Sequence, residues 1–130
     1  MSFSDYTENK FIDHITGKTS FTKPICFVGL STADPGEDAS GLAEPVGNGY
    51  ARVGTAGADW NAASGGSATN ANAIVFAVAS GSWETITHFA TFDAASGGNM
   101  LGSNALTTPH AITTNQIARF AAGALTITQG

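Results

Sequence analysis

Trp83-Glu84-Thr85-Ile86-Thr87-His88-Phe89-Ala90-Thr91-Phe92 decides the fold class. Ile86, His88, Ala90 and Phe92 alternate with Thr85, Thr87, Phe89 and Thr91, and a period of two puts the sets on opposite faces of a half-buried strand. The threonines favour the same state, because β-branched side chains are stiff at χ1 and sit well on a pleated surface. Just upstream, Ser80-Gly81-Ser82 turns the chain out of residues 73–79. There Ile74, Phe76 and Val78 share one face, and Val75, Ala77 and Ala79 share the other. A strand apolar on both faces suits a place between a core and a second layer, or one face against a partner.

Further strands follow in both directions. In residues 25–30, Cys26, Val28 and Leu30 point one way and Phe27 the other, while Gly29 permits close approach of another backbone. Residues 50–53 read as a short strand and 56–67 as an irregular arm. Residues 100–106 form a strand ended by Thr107-Thr108-Pro109. The stretch 116–128 reads as a C-terminal hairpin turning at Ala122-Gly123, with Ile117, Phe120, Leu125 and Ile127 as core anchors.

A helix is predicted over residues 4–16: Ser2 or Ser4 can cap it, Asp5 and Glu8 lie in its first turn, and Gly17 can end it. Tyr6, Phe11, Ile12 and Ile15 make its apolar stripe, which must pack on the chain's own sheet or on a neighbour. Residues 31–48 form a long acidic loop, bent at Asp34-Pro35-Gly36 and again at Pro45 to Gly47. Trp60-Asn61-Ala62-Ala63-Ser64-Gly65-Gly66 echoes Phe92-Asp93-Ala94-Ala95-Ser96-Gly97-Gly98, an aromatic anchor followed by a compact turn used twice. Many short strands, Gly-rich turns and no crossover helices predict a mainly β fold. The expectation is one domain over 1–130, an antiparallel, jelly-roll-like β-sandwich with a short N-terminal α-helix.

Charged residues make up 12% of the chain, about half the usual share, against 42% hydrophobic. The polar residues are mostly Ser, Thr and Asn, which lose little rotamer entropy in a contact and suit lateral packing between subunits. The net charge is -5, and Lys10, Lys18, Lys23, Arg52 and Arg119 form no cluster, which argues against nucleic-acid binding. Cys26 is the single cysteine, so an internal disulfide is excluded and a buried thiol expected. No segment is long enough for membrane insertion, and Met1 to Asp5 lack the basic and apolar regions of a secretory signal, which implies synthesis in a cytoplasm.

Chemistry finds little footing. Asp34, Glu37, Asp38 and Glu44 offer hard oxygens but lack the alternating ligands of a calcium loop, so the acidic loop reads as a solvated turn. His88 with Asp93 has no nucleophile elbow beside it, and His14, His88 and His110 lack metal-ligand spacing. No catalytic residue, metal or cofactor is expected. The candidates that remain are contact residues: Tyr6, Phe11 and Ile15 on the helix, Tyr50, Trp60 and Trp83 as core or interface anchors in preference to a sugar-binding surface, a buried or interfacial His88, and Arg52 and Arg119 as specific hydrogen-bonding or stacking groups.

The ordered set Ser4-Asp5-Tyr6-Thr7-Glu8-Asn9-Lys10, Asp13-His14-Ile15-Thr16-Gly17-Lys18-Thr19-Ser20-Phe21, Val28-Gly29-Leu30-Ser31-Thr32-Ala33-Asp34-Pro35 and Gly49-Tyr50-Ala51-Arg52-Val53 resembles the small tailed-bacteriophage proteins known as phage tail fibre proteins. Gly81 to Phe89, Phe92 to Asn99 and Phe120 to Thr128 extend the resemblance over nearly the whole length. It implies a non-enzymatic virion component, a tail or tail-fibre adaptor, that self-assembles as a homo-oligomer (trimer or higher) and meets other virion proteins. Two alternatives stand beside it: a capsid decoration protein cementing the head shell, and a module recognising a host surface glycan.

Overall fold

The computed structural model describes residues 2–129; residues 1 and 130 of the expected domain lie outside the described residues. The chain is mainly antiparallel β-sheet with one short N-terminal helix, in a sandwich-like arrangement. Its principal sheet runs in the order β1 (Ser2–Phe3), β7 (Met100–Ile112), β6 (Glu84–Phe92), β2 (Phe27–Ser31), β3 (Val53–Gly54). Two further pairs complete it: β4 (Ser67–Thr69) with β9 (Thr126–Thr128), and β5 (Ile74–Val78) with β8 (Ile117–Phe120).

The stretch that opened the sequence reading is β6, flanked by β2 and β7. Its alternation holds only in pieces. Ile86 and Phe89, expected on opposite faces, join one core with Val28, Leu30, Ile74, Phe76, Trp83, Ile112 and Leu125. Ala90 and Phe92 join a second, with Met100, over which Phe27, Ala39 and Leu42 pack. The cause is a bulge opposite: Ile86 pairs with His110 and His88 with Ala105, so two steps along β6 meet five along β7. Pro109 has no N–H to give the ladder, and an irregularity is where a sheet tolerates it. The strand does not end at Pro109, as its composition suggests, but resumes to Ile112.

A smaller bulge resets β5. Val75 pairs with Arg119 and Val78 with Ile117, so three steps meet two. Ile74, Phe76 and Ala79 are consequently buried, and Val78 turns out beside Val75 and Ile117. The predicted hairpin over 116–128 does not form, since β8 pairs with β5 and β9 with β4. Asn70 is the physical reason. Fully buried, it accepts from Leu125 N (2.9 Å) through Oδ1 and donates Nδ2 to the carbonyls of Ala121 and Asn72 (2.9 Å each). It thereby holds the 121–125 turn against the corner after β4 and sends the two strands apart. Such a fully satisfied buried amide rigidifies its surroundings.

The helix α1 spans Asp5–Ile15, with Ser4 and Thr16 as caps, matching the predicted 4–16. Ser4 Oγ accepts from Thr7 N at 3.2 Å and also donates to the Met100 carbonyl; Ser4 N donates to Leu101 O at 2.9 Å. The helix is thus tied to β7 by its first turn. The echoed turns end alike: Gly65, Gly66, Gly97 and Gly98 all have positive φ, a conformation costly for any side chain with a Cβ.

Candidate functional site

The apolar stripe of α1 is only half used. Phe11 stacks on Phe3 (ring centroids 6.1 Å apart), and Tyr6 meets Phe21 edge-on at 6.4 Å, with Lys10 Nζ 5.7 Å from the Tyr6 ring centre. Farther along, Ile12 is 59% and Ile15 73% exposed, and Ile25, on the segment leading into β2, is 64% exposed. Single exposed apolar residues are ordinary, but three large ones around one short element form a feature. Beside the stripe lies a groove of about 300 Å³ lined by Phe3, Phe11, Phe21, Trp60, Leu101 and Ile127 among others, almost wholly apolar. Phe3 and Phe21 escaped the sequence reading; their signal was two aromatics flanking the helix just outside its bounds.

Cys26 also borders this groove. Burial pushes its thiol up to about 11, against the smaller opposing effect of a hydrogen bond with Thr55. At pH 8 its thiolate fraction is therefore roughly 100-fold below that of a thiol with ordinary pKa. Ellman's reagent should label the folded protein slowly and the urea-unfolded chain quickly. Equal rates in the two states would contradict this burial.

Tyr50, Trp60 and Trp83 do not share one exposed aromatic surface, and Trp83 takes the core option. Trp83 is 1% exposed, donates Nε1–H to Asn48 O at 2.8 Å, and meets Tyr50 edge-on at 5.3 Å. A large ring with a satisfied N–H gains most by complete burial, so Trp83 is a core residue. Trp60 is half-buried, donating to Thr55 Oγ1 at 2.9 Å, and faces the groove.

Tyr50 and Arg52 converge on Glu44 instead of on solvent. Tyr50 Oη donates to Glu44 Oε2 at 2.6 Å and accepts from Leu30 N at 3.0 Å. Burial first, then the Glu44 carboxylate, raises the Tyr50 phenol above its ordinary value. Arg52 forks Glu44 through Nη2 (2.6 Å to Oε1) and Nε (3.0 Å to Oε2), and its Nη1 donates to the carbonyls of Ala94 and Gly97 at 2.9 Å each. Its Cζ lies 3.5 Å from the centre of the Phe92 ring. Gly29 makes room: a Cβ there would come within 2.9 Å of both Phe92 and Tyr50 Oη. Arg52 does supply hydrogen bonds and stacking, within its own chain, and Glu44 is the partner that sequence reasoning missed.

The other acids of the loop are also occupied locally. Asp34 accepts from Gly36 N (2.9 Å) and Asp38 from Ser40 N (3.0 Å), which holds the Asp38 carboxyl below its ordinary value. Among the described residues no three potential metal ligands gather. His88 does not meet Asp93, whose carboxylate takes Asn99 N (2.7 Å) and Nδ2 (2.9 Å). It sits half-buried with Thr87 Oγ1 2.8 Å from Nδ1 and Asp34 4.0 Å from Nε2. Arg119 is exposed on β8, far in the chain order from α1 and outside its groove.

The polar clusters pin loops to the sheet, and the helix carries an exposed apolar face. Over residues 2–128 the chain matches the family described as podophage GP4 fiber I protein gp80, and it belongs to that family. No curated protein matches it. The chain is accordingly a structural, non-enzymatic fibre component of the phage virion, assembled there with other phage proteins. The fibre description favours the tail over the head shell as its place.

Proposed function

We propose that this fibre protein self-assembles, as a trimer or higher cyclic oligomer, through the face built by Tyr6, Phe11, Ile12, Ile15 and Trp60. The carrying observation is the exposure of Ile12 and Ile15 on the helix whose Phe11 lines an apolar groove. Phe11, on the same helix as Ile12 and Ile15, lines the hollow. Copies related by rotation can each seat their isoleucines in the next copy's groove, the head-to-tail contact that closes into a ring. The low charge of the chain supports contact with copies of itself. Trp83 and Tyr50 serve this face only indirectly, by packing the core that holds the sheet, and Arg52 by stacking on Phe92 of the second cluster.

Sedimentation velocity tests the reading. The parent chain should sediment as an oligomer at tens of micromolar. The double variant Ile12→Glu, Ile15→Glu should be monomeric with unchanged circular dichroism, since both positions are exposed and such surface changes alter stability by only about 0.5 kcal/mol. A monomeric parent chain, or an oligomer indifferent to the double variant, would overturn it.

A further inference from the structure

The bulge in β7 leaves a second feature, sharing no lining residue with the groove beside α1. The extra residues between Ala105 and His110 have no register partner on β6, and Leu106 lines hollows together with Arg119 and Phe120 of β8. Two hollows of about 410 and about 440 Å³ result, and both are lined by Leu106, His110, Arg119 and Phe120. Arg119 is exposed, and among the described residues its side chain makes no hydrogen bond and no ion pair; the same is true of His110. Only five permanent cations exist in the chain. Arg52 is fully engaged by Glu44 and two carbonyls, whereas Arg119 stands where two hollows meet with its five N–H donors unspent.

From this geometry we infer that the Arg119–His110 cleft binds a carboxylate-bearing saccharide, with the guanidinium gripping the carboxylate as a two-pronged fork. A planar fork matches a carboxylate in shape, which an ammonium cannot do. The half-buried Phe120 and Leu106 offer an apolar floor for the carbon face of a sugar ring. Asn104, Thr108 and Thr126 supply short amide and hydroxyl groups along the rim for its hydroxyls. Each hollow is of the size that small ligands occupy, and its rim is more polar than the groove beside α1. That contrast favours a sugar over a protein segment, because protein contacts centre on apolar anchors. The overall charge of -5 repels anions at long range, so recognition must come from the fork itself and affinity per site is modest. Repetition of the site in an oligomer would multiply it.

The test uses the full chain and two probes, trigalacturonic acid and neutral maltotriose, followed by heteronuclear NMR titration. Trigalacturonic acid should shift the Arg119 Nε–H and His110 ring signals at millimolar concentration, and maltotriose should not. Arg119→Gln should weaken acidic-sugar binding about tenfold, and Arg119→Lys, which keeps the charge and loses the fork, should also weaken it. Arg119 is exposed, so the fold should survive both changes, as circular dichroism will verify. Absence of shifts with trigalacturonic acid, equal binding of both sugars, or full binding by Arg119→Gln would overturn the inference. So would an Arg119→Gln variant that alters the sedimentation coefficient while leaving sugar binding intact, for the cleft would then be a subunit contact. Loss of the oligomer in the isoleucine double variant with sugar shifts retained would leave this inference standing and separate it from the assembly reading.

Discussion

Replacing Arg52 with methionine should remove about 3–5 kcal/mol of folding stability, the usual cost of stripping one member from a buried ion pair. The Arg52 side chain is 5% exposed. Its loss leaves the half-buried Glu44 carboxylate with Tyr50 as its donor and no countercharge, strands the carbonyls of Ala94 and Gly97, and removes the cation from the Phe92 ring. Three separated pieces of chain depend on it: the acidic loop, the segment entering β3, and the turn after β6. Urea melts monitored by tryptophan fluorescence would measure the loss. Glu44→Gln should cost less, because the amide oxygen still accepts from Tyr50, and the double variant should cost less than the sum. A loss below about 1 kcal/mol for Arg52→Met would mean that the pair is as solvated as a surface salt bridge. One transition in these melts is expected of a single cooperative unit; two would contradict it.

Trp83→Ala is the second large effect, about 3–5 kcal/mol, the range for deleting a buried aromatic ring. The ring packs edge-on against Tyr50 and Phe76 and ties Asn48 to the start of β6. Trp83→Phe keeps most of the volume and leaves the Asn48 carbonyl with Ser80 N (2.9 Å) as its remaining donor, so about 0.5–1.5 kcal/mol should go. Were Trp83 an exposed contact residue, both variants would melt within about 0.5 kcal/mol of the parent chain. The contrast with Ile12 and Ile15 is direct: apolar residues near the helix end should change association and not stability, and Trp83 should change stability.

Local features were legible because their causes are local. Ser4, Asp5 and Glu8 announce a helix start, and Thr16-Gly17 its end, and α1 obeys them. The alternation of residues 27–30 was read correctly, with Val28 and Leu30 in one core and Phe27 against the other. The two Ala-Ala-Ser-Gly-Gly turns repeat one backbone solution in space as in the chain. Failures began where a residue's partner is distant. The two bulges follow from the pairing of β6 with β7 and β5 with β8, and each inverted the face expected of the residues beyond it. The hairpin over 116–128 had a proper turn in Ala122-Gly123, but Asn70, some fifty positions earlier, decides where that turn sits.

For the site the division is the same. Residue types alone determined a β-rich, weakly charged chain, and the order of its motifs tied it to phage fibre proteins, as the match over residues 2–128 bears out. Whether an aromatic or a cation is spent inside the molecule or offered outside it was decided only in three dimensions. Trp83 and Tyr50 were open to core or interface use and Arg52 to hydrogen bonding or stacking; a core and a carboxylate were within reach, and a group that can bury its ring or satisfy its charge internally does so. Ile12 and Ile15 lie past the point where α1 is tied to β7, and Arg119 lies beyond the reach of any carboxylate of the described residues. Periodicity could propose these faces, but only the paths of distant segments determined which of them remained uncovered.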